Sequence, residues 1–289
     1  MNVAPHCIVE IRWGKLAGTK AVIAPGHSLR VGHGERTQLA VPHDTQMSNL
    51  HFELSWDGKT CSLRDMESKL GTQLGGLSVK EGVVPHGGWI RAGQTDFMVY
   101  VEGKTPPNDD DDEDLSPGDL LLRNERRQKT KSVHEVLRGI AAEAPLYALL
   151  DAARNMRILQ LLRESVETHR SLYEGAEGEP LEDVAPYLVG PLRPNSRLLE
   201  RLVAEGWGHR WGIYCTSREP FREVRRHFRR FLMAEIESTR EPVYFRFYDP
   251  DVLRAFTEVW TSMQKRQFLE LLGNVWVEDE SGLATIVSR

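Results

Sequence analysis

The sequence predicts a multidomain chain. An all-β sandwich over residues 1–103 and an acidic linker over 104–118 precede an α/β domain over 119–289, with a helix-covered, largely parallel sheet. Three observations predict this. The first hundred residues hold short apolar runs split by Gly and Asp-Gly turns, with no long helical period. The stretch 104–118 contains Pro106-Pro107, six consecutive acids from Asp109 to Asp114, and Ser116-Pro117-Gly118. Like charges repel and there is almost nothing apolar to bury, so this reads as a solvated spacer. Beyond it, strand-length apolar runs alternate with amphipathic helical patterns, as in a sheet covered by helices on both faces.

Composition narrows the function classes. A net charge of -5 gives no general attraction to nucleic acid or anionic membrane, so neither is expected as a partner. Cys7, Cys61 and Cys215 lie far apart without a C-x-x-C pair, which argues for a reducing compartment and against a zinc or disulfide framework. The first residues lack a charged segment followed by an apolar run, and no apolar stretch approaches the roughly 20 residues of a membrane helix. The expected location is the cytoplasm.

In the N-terminal half, strands are expected over 7–13, 20–24, 28–31, 38–41, 51–56, 60–64, 89–91 and 96–102, with Asp57-Gly58 as a hairpin signal. The order of residues is more specific. Val31-Gly32-His33 is followed by Met47-Ser48-Asn49-Leu50-His51, then by Asp65-Met66-Glu67-Ser68-Lys69-Leu70-Gly71-Thr72, then by Gly93-Gln94-Thr95-Asp96. This run resembles a forkhead-associated (FHA) domain over roughly the first hundred residues. The resemblance implies a β-sandwich whose loop end binds phosphothreonine peptides.

Phosphate recognition wants cationic forks and hydroxyl or amide donors. On the resemblance, Ser48 matches the serine that donates to phosphate and His51 the histidine that shapes its loop. Two recognition positions differ: the family arginine after glycine is His33, and the asparagine that holds peptide backbone is Leu70. Lys69, Arg30 or Arg36 are the remaining candidates for charge. Two readings stay open: a module that keeps only the fold, and a working reader with a phosphoprotein as partner.

In the C-terminal half, a helix is expected towards Ala142, with apolar strand 145–151 after it. Met156, Leu159, Leu162 and Val166 then share one helical face. Short extended pieces at 171–173 and 181–189 lead to a helix over 196–205 closed by Gly206, a strand over 209–215 and a helix over 220–237. Val243 to Tyr248 reads as a strand running into a helix with Asp249 as N-cap and Pro250 at its first position. A last helix over 263–272 and a strand over 274–277 follow.

The helix over 220–237 places Arg222, Arg225, Arg226, Arg229 and Arg230 beside an apolar stripe of Phe221, Val224, Phe228, Phe231 and Leu232. Clustered arginines attract phosphate, but no recognition motif accompanies them, so a solvated face or a docking face for an acidic partner is expected. There is no G-x-G-x-x-G, P-loop, H-E-x-x-H or G-x-S-x-G, and the histidines lack metal-ligand spacing. Asp151 and Asp249, each ending an expected strand, are the only candidate carboxylate pair. No catalytic residue, metal or cofactor is expected.

Leu146-Tyr-Ala-Leu-Leu-Asp-Ala-Ala153, Ser171-Leu-Tyr-Glu174, Ala185-Pro-Tyr-Leu188, Trp211-Gly-Ile213 and Phe245-Arg-Phe-Tyr-Asp-Pro-Asp-Val-Leu253 together resemble the adaptor-chaperone domain of bacterial type VI secretion systems. The run containing Tyr248, Asp249 and Pro250 is the most specific part. The resemblance implies a non-enzymatic protein that binds an effector toxin in the cytoplasm and helps load it onto the VgrG spike. The effector and VgrG are the partners so implied, with Arg222, Arg225, Arg226 and Arg229 as candidate contacts.

Overall fold

The computed structural model describes residues 4–13, 15–107, 117–173, 179–235, 241–279 and 282–288. The acidic run of the expected linker lies outside the described residues. The chain forms two compact units: Met1–Thr105 with Arg163–Val166, and Pro106–Leu162 with Glu167–Arg289.

The first unit contains β1 (Cys7–Ile11), β2 (Lys20–Ile23), β3 (His27–Gly32), β4 (Leu39–Ala40), β5 (Phe52–Trp56), β6 (Cys61–Asp65), β7 (Thr72–Leu74), β8 (Leu77–Val79), β9 (Glu81–Val84), β10 (Gly88–Ala92) and β11 (Thr95–Val101). They form two sheets, ordered β2-β1-β11-β10-β7-β8 and β4-β3-β5-β6-β9. Val9, Ile11, Ile90, Phe97 and Val99 on one sheet meet Val31, Phe52, Leu54 and Leu63 on the other. Phe52 and Phe97 meet edge to face, with ring centroids 5.4 Å apart. Strands β7 to β9 are absent from the sequence reading. They are short and largely exposed, so no apolar alternation marks them.

The second unit begins with α1 (Pro117–Glu143), which starts inside the expected linker. It continues through β12 (Leu146–Asp151), α2 (Met156–Arg163), β13 (His169–Ser171), β14 (Pro186–Leu192), α3 (Arg197–Gly206) and β15 (Gly212–Thr216). After these come α4 (Phe221–Arg229), β16 (Met233–Glu235), β17 (Pro242–Tyr244), α5 (Pro250–Val259), α6 (Ser262–Phe268), β18 (Asn274–Asp279) and β19 (Gly282–Ser288). The main sheet is ordered β13-β14-β12-β15-β18-β19. All six residues of β12 are buried. Leu146, Ala148 and Leu150 face α1, α2 and α3, while Tyr147 and Leu149 face α4, α5 and α6. The sheet is therefore covered by helices on both faces.

Its strands are not parallel, which corrects the expectation. Every adjacent pair is antiparallel. The reason lies in how the crossovers interleave. Helix α2 does return the chain to a strand parallel to β12, and α3 does the same from β14 to β15. Each crossover, however, skips one position, which a strand of opposite direction fills. The result, from β12 to β15, is the split β-α-β arrangement. Strand–helix alternation in sequence specifies the crossover but not the neighbour.

Three element boundaries also change. Val243 to Tyr248 is not a strand of the main sheet. Only Pro242–Tyr244 is extended, and it pairs with β16 alone in a two-stranded sheet. Phe247 instead stacks on Phe228, with centroids 5.6 Å apart at 16°. Helix α4 stops at Arg229 rather than at residue 237, and Phe231 turns in to meet Phe268 at 5.3 Å. The last strand is the first half of a hairpin completed by β19.

Two candidate interaction sites

At the loop end of the first unit, Gly32 ends β3 where a Cβ would sit 2.3 Å from the Asn49 carbonyl oxygen. Only glycine lets the two chains come this close. His33 and Gly34 then donate their N–H groups to the carbonyls of Ser48 and Asn49, at 2.9 and 3.0 Å. The His33 Nδ1–H donates to the Asp44 carbonyl at 3.1 Å. His51 is fully buried: Nδ1 accepts from the Ser48 N–H at 3.0 Å and Nε2–H donates to the Gly71 carbonyl at 3.1 Å. Both its ring nitrogens therefore hold loops together.

Ser48 Oγ accepts the Lys69 backbone N–H at 3.0 Å, while the Lys69 side chain is exposed. Leu70 is also exposed, and Arg30 is paired with Glu53 at 2.8 Å. The loops thus place Ser48, His33 and Lys69 together without a guanidinium fork among their side chains. Asp65 gathers the next loop, accepting from the Ser68 N–H at 2.9 Å and from the Ser68 and Thr72 hydroxyls at 2.6 Å each. Burial works against its charge, but these donors prevail and hold its carboxyl below the usual range. Asp44, which sequence reasoning missed, does the same for the Gly93 turn. It accepts from the Gln94 N–H at 2.8 Å and the Thr95 hydroxyl at 2.7 Å. Burial again opposes its charge, and the hydrogen bonds again keep its carboxyl low. No sequence signal separates Asp44 from an ordinary loop acid.

In the second unit the arginine helix divides. Arg222 and Arg226 are exposed, and Arg226 pairs with Glu223. Arg225 Nε donates to the Ser171 carbonyl at 2.7 Å, and Arg229 Nε to the Leu172 carbonyl at 2.9 Å. These two arginines fasten the end of β13, so the four candidate contacts divide into an exposed pair and a pair bonded to backbone carbonyls.

Asp249 caps α5 as expected, accepting from the N–H groups of Asp251 and Val252 at 3.0 and 3.4 Å, with buried Pro250 opening the helix. It also belongs to a charge network. Arg246 donates to Asp151 at 2.6 Å and lies 3.5 Å from Asp249, while Arg154 pairs with Asp249 and lies 3.7 Å from Asp151. Both carboxylates are buried. Burial pushes the neighbouring Tyr248 phenol well up, with Tyr173 beside it as a further cause. Asp151 and Asp249 are therefore brought together, but as partners of two arginines rather than as an open carboxylate pair. Arg154 and Arg246 were not singled out; a lone arginine gives no sign of the carboxylate it will meet.

A groove opens on the α4–α6 face. It is lined by Phe231, Met233, Phe245, Phe256, Trp260 and Phe268. Met233, Tyr244, Val259 and Met263 of the neighbouring elements are exposed. Trp260 buries its indole N–H without a hydrogen-bond partner among the described residues. No group of three or more metal-ligating side chains occurs among the described residues, and no helix among them is long and apolar enough to cross a membrane.

Comparison with known proteins divides the chain in the same way. Residues 29–93 match the model of the FHA domain family. Residues 146–267 match that of a domain of unknown function, DUF4123. The FHA domain-containing protein FhaA of Mycobacterium tuberculosis is 35% identical over 71 residues, which is 25% of this chain and 13% of that protein. A crystal structure of the FhaA FHA domain complexed with the intracellular domain of a second protein is 29% identical, with a TM-score of 0.30, and covers 32% of this chain and 98% of that one. A structure from work on phosphothreonine-dependent FHA domain interactions is 28% identical, with a TM-score of 0.30, and covers 33% of this chain and 95% of that one. The chain thus carries an N-terminal FHA-like β-sandwich followed by a DUF4123 domain of helices and sheet.

Proposed function

We propose that this protein is a cytoplasmic, non-catalytic adaptor-chaperone of a type VI secretion system, which holds an effector toxin and helps deliver it to the VgrG spike. The observation that carries the reading is the groove between β16, α5 and α6. Its aromatic walls and the exposed apolar residues around it fit an apolar segment. The resemblance of roughly 145–277 to secretion adaptors supports it, as does the arginine pairing of Asp151 and Asp249, which leaves neither of these two carboxylates open for acid–base work. The test is capture of tagged protein from its own cells, with and without phosphatase, read by mass spectrometry. One toxin-like protein together with VgrG, unaffected by phosphatase, is expected. Recovery of neither would overturn the reading.

A second reading rests on Ser48. Its oxygen accepts from the Lys69 backbone N–H, and its own proton has no acceptor among the described residues, so it can donate to a phosphate at this loop end. In that reading the first unit is a phosphothreonine reader and the partner is a phosphoprotein. Phosphate-dependent peptide binding that Ser48→Ala abolishes would establish it; equal binding of unphosphorylated peptide would sink it.

A further inference from the structure

Both units manage their sheet edges in the usual protective way, with one exception. The edge strands β2, β4, β8, β9, β13, β16 and β17 are each four residues or fewer. Among them, β2 carries Lys20, β9 carries Glu81, β13 carries Arg170, β16 ends in Glu235 and β17 opens with Pro242. Short length, charge and proline all keep a foreign strand from adding on. Strand β19, Gly-Leu-Ala-Thr-Ile-Val-Ser, is seven residues long, with no charge and no proline. It stands at the end of the main sheet, and among the described residues nothing pairs with its outer side. Its faces are occupied, by Leu283 towards one helical layer and by Ala284 and Ile286 towards the other. Its outer backbone edge is left without a strand partner among the described residues.

We propose that β19 is the edge through which two copies of this chain pair, joining two six-stranded sheets into one continuous antiparallel sheet. The occupant follows from the composition of the strand. A two-fold axis sets a surface against itself, so any charge on a self-pairing edge meets its own kind. Strand β19 carries no charged side chain that would be set against its own copy across such an axis. At full overlap about the axis, Ala284 meets Ile286 and Thr285 meets Thr285. Every pair is aliphatic or hydroxylic, and threonine pairs well with threonine across strands. Exposed Thr285 sits at the centre. This inference is independent of the adaptor reading.

The test uses the full chain in sedimentation and light scattering over a concentration series. The wild-type protein is expected to dimerise. Thr285→Lys sets two ammonium groups together at the axis and is expected to weaken dimerisation roughly tenfold or more, with unchanged circular dichroism and melting temperature. Mixing Thr285→Lys with Thr285→Glu is expected to restore the dimer, a recovery that only pairing at this residue produces. If the substituted chains misfold, hydrogen exchange on the wild-type chain decides: protection of the 283–287 amides should rise with protein concentration. A wild-type monomer at high micromolar concentration, a dimer indifferent to charge at residue 285, or exchange independent of concentration would each overturn the proposal.

Discussion

Arg246 donates to Asp151 at 2.6 Å across 95 residues of sequence, and so ties the turn before α5 to the end of the central strand β12. Asp151 is almost fully buried, whereas the Arg246 side chain is 45% exposed. Breaking a buried pair by removing one member is costly, and partial exposure of that member reduces the cost. Arg246→Met is therefore expected to destabilise the second unit by about 1–3 kcal/mol in urea denaturation. Arg246→Lys should recover only part, because a lysine lacks the planar, pre-organised guanidinium that sets Nη2 against Asp151. A change within experimental error would mean that Arg154 alone holds the two acids.

The acid response of the first unit follows from Asp44 and Asp65. Both carboxyls are held below the ordinary value of 3.8 in the folded chain. A lowered folded value adds stability that is complete above 3.8 and is lost as pH falls below it through the folded value. The melting temperature should accordingly stay level above about pH 5 and decline below about pH 4. In Asp44→Asn/Asp65→Asn the fold should be weaker at neutral pH and the decline shallower. An equally steep acid decline in that variant would assign it to other carboxylates.

Glycines divide by what a methyl group would meet. At Gly212 it would lie 2.0 Å from the Leu149 carbonyl oxygen on the neighbouring strand, and at Gly139 of α1 nothing lies within 4 Å. Gly212→Ala should cost about 1–3 kcal/mol, as overpacking does. Gly139→Ala should stabilise by about 0.5–1 kcal/mol through helix propensity. Thermal melts that rank them the other way would overturn this assignment.

The arginine helix gives a sharper contrast. Losing Arg229 removes the donor to the carbonyl of buried Leu172 and should cost about 1–2 kcal/mol. Arg222→Ala, on the exposed side, should stay within about 0.5 kcal/mol. Equal losses would restore the four arginines to a single structural or functional class.

Groove chemistry is tested by Met233→Lys, which puts a charge at an exposed apolar rim. Capture of the apolar partner should fall roughly tenfold, with the melting temperature unchanged. Undiminished capture would place the partner elsewhere on the molecule.

The two units were legible in different ways. In the first, Gly32, His51, Asp65, Ser68, Gly71 and Thr72 mark the loop end because each holds a neighbouring loop in one required geometry, and that requirement leaves a spaced signature. In the second, apolar runs such as 146–151 announced a strand buried on both faces, and Asp249 announced its helix. Strand direction was illegible because β12 meets β14 and β15 through crossovers whose skipped positions have no local signature. The aromatic run from Phe245 to Tyr248 read as a strand because rings favour pleated surfaces, yet Phe247 was needed between α4 and α6. Arg246 could not be assigned, since its partner lies on another element.

Interleaving also has a consequence for the nascent chain. Strand β12 ends at Asp151, while its neighbours begin at Pro186 and Gly212, that is 186 − 151 = 35 and 212 − 151 = 61 residues later. Its six buried residues leave the ribosome long before either partner exists. Strand β12 thus stays unpaired on one side until residue 216 has emerged, an interval in which its buried run is open to aggregation.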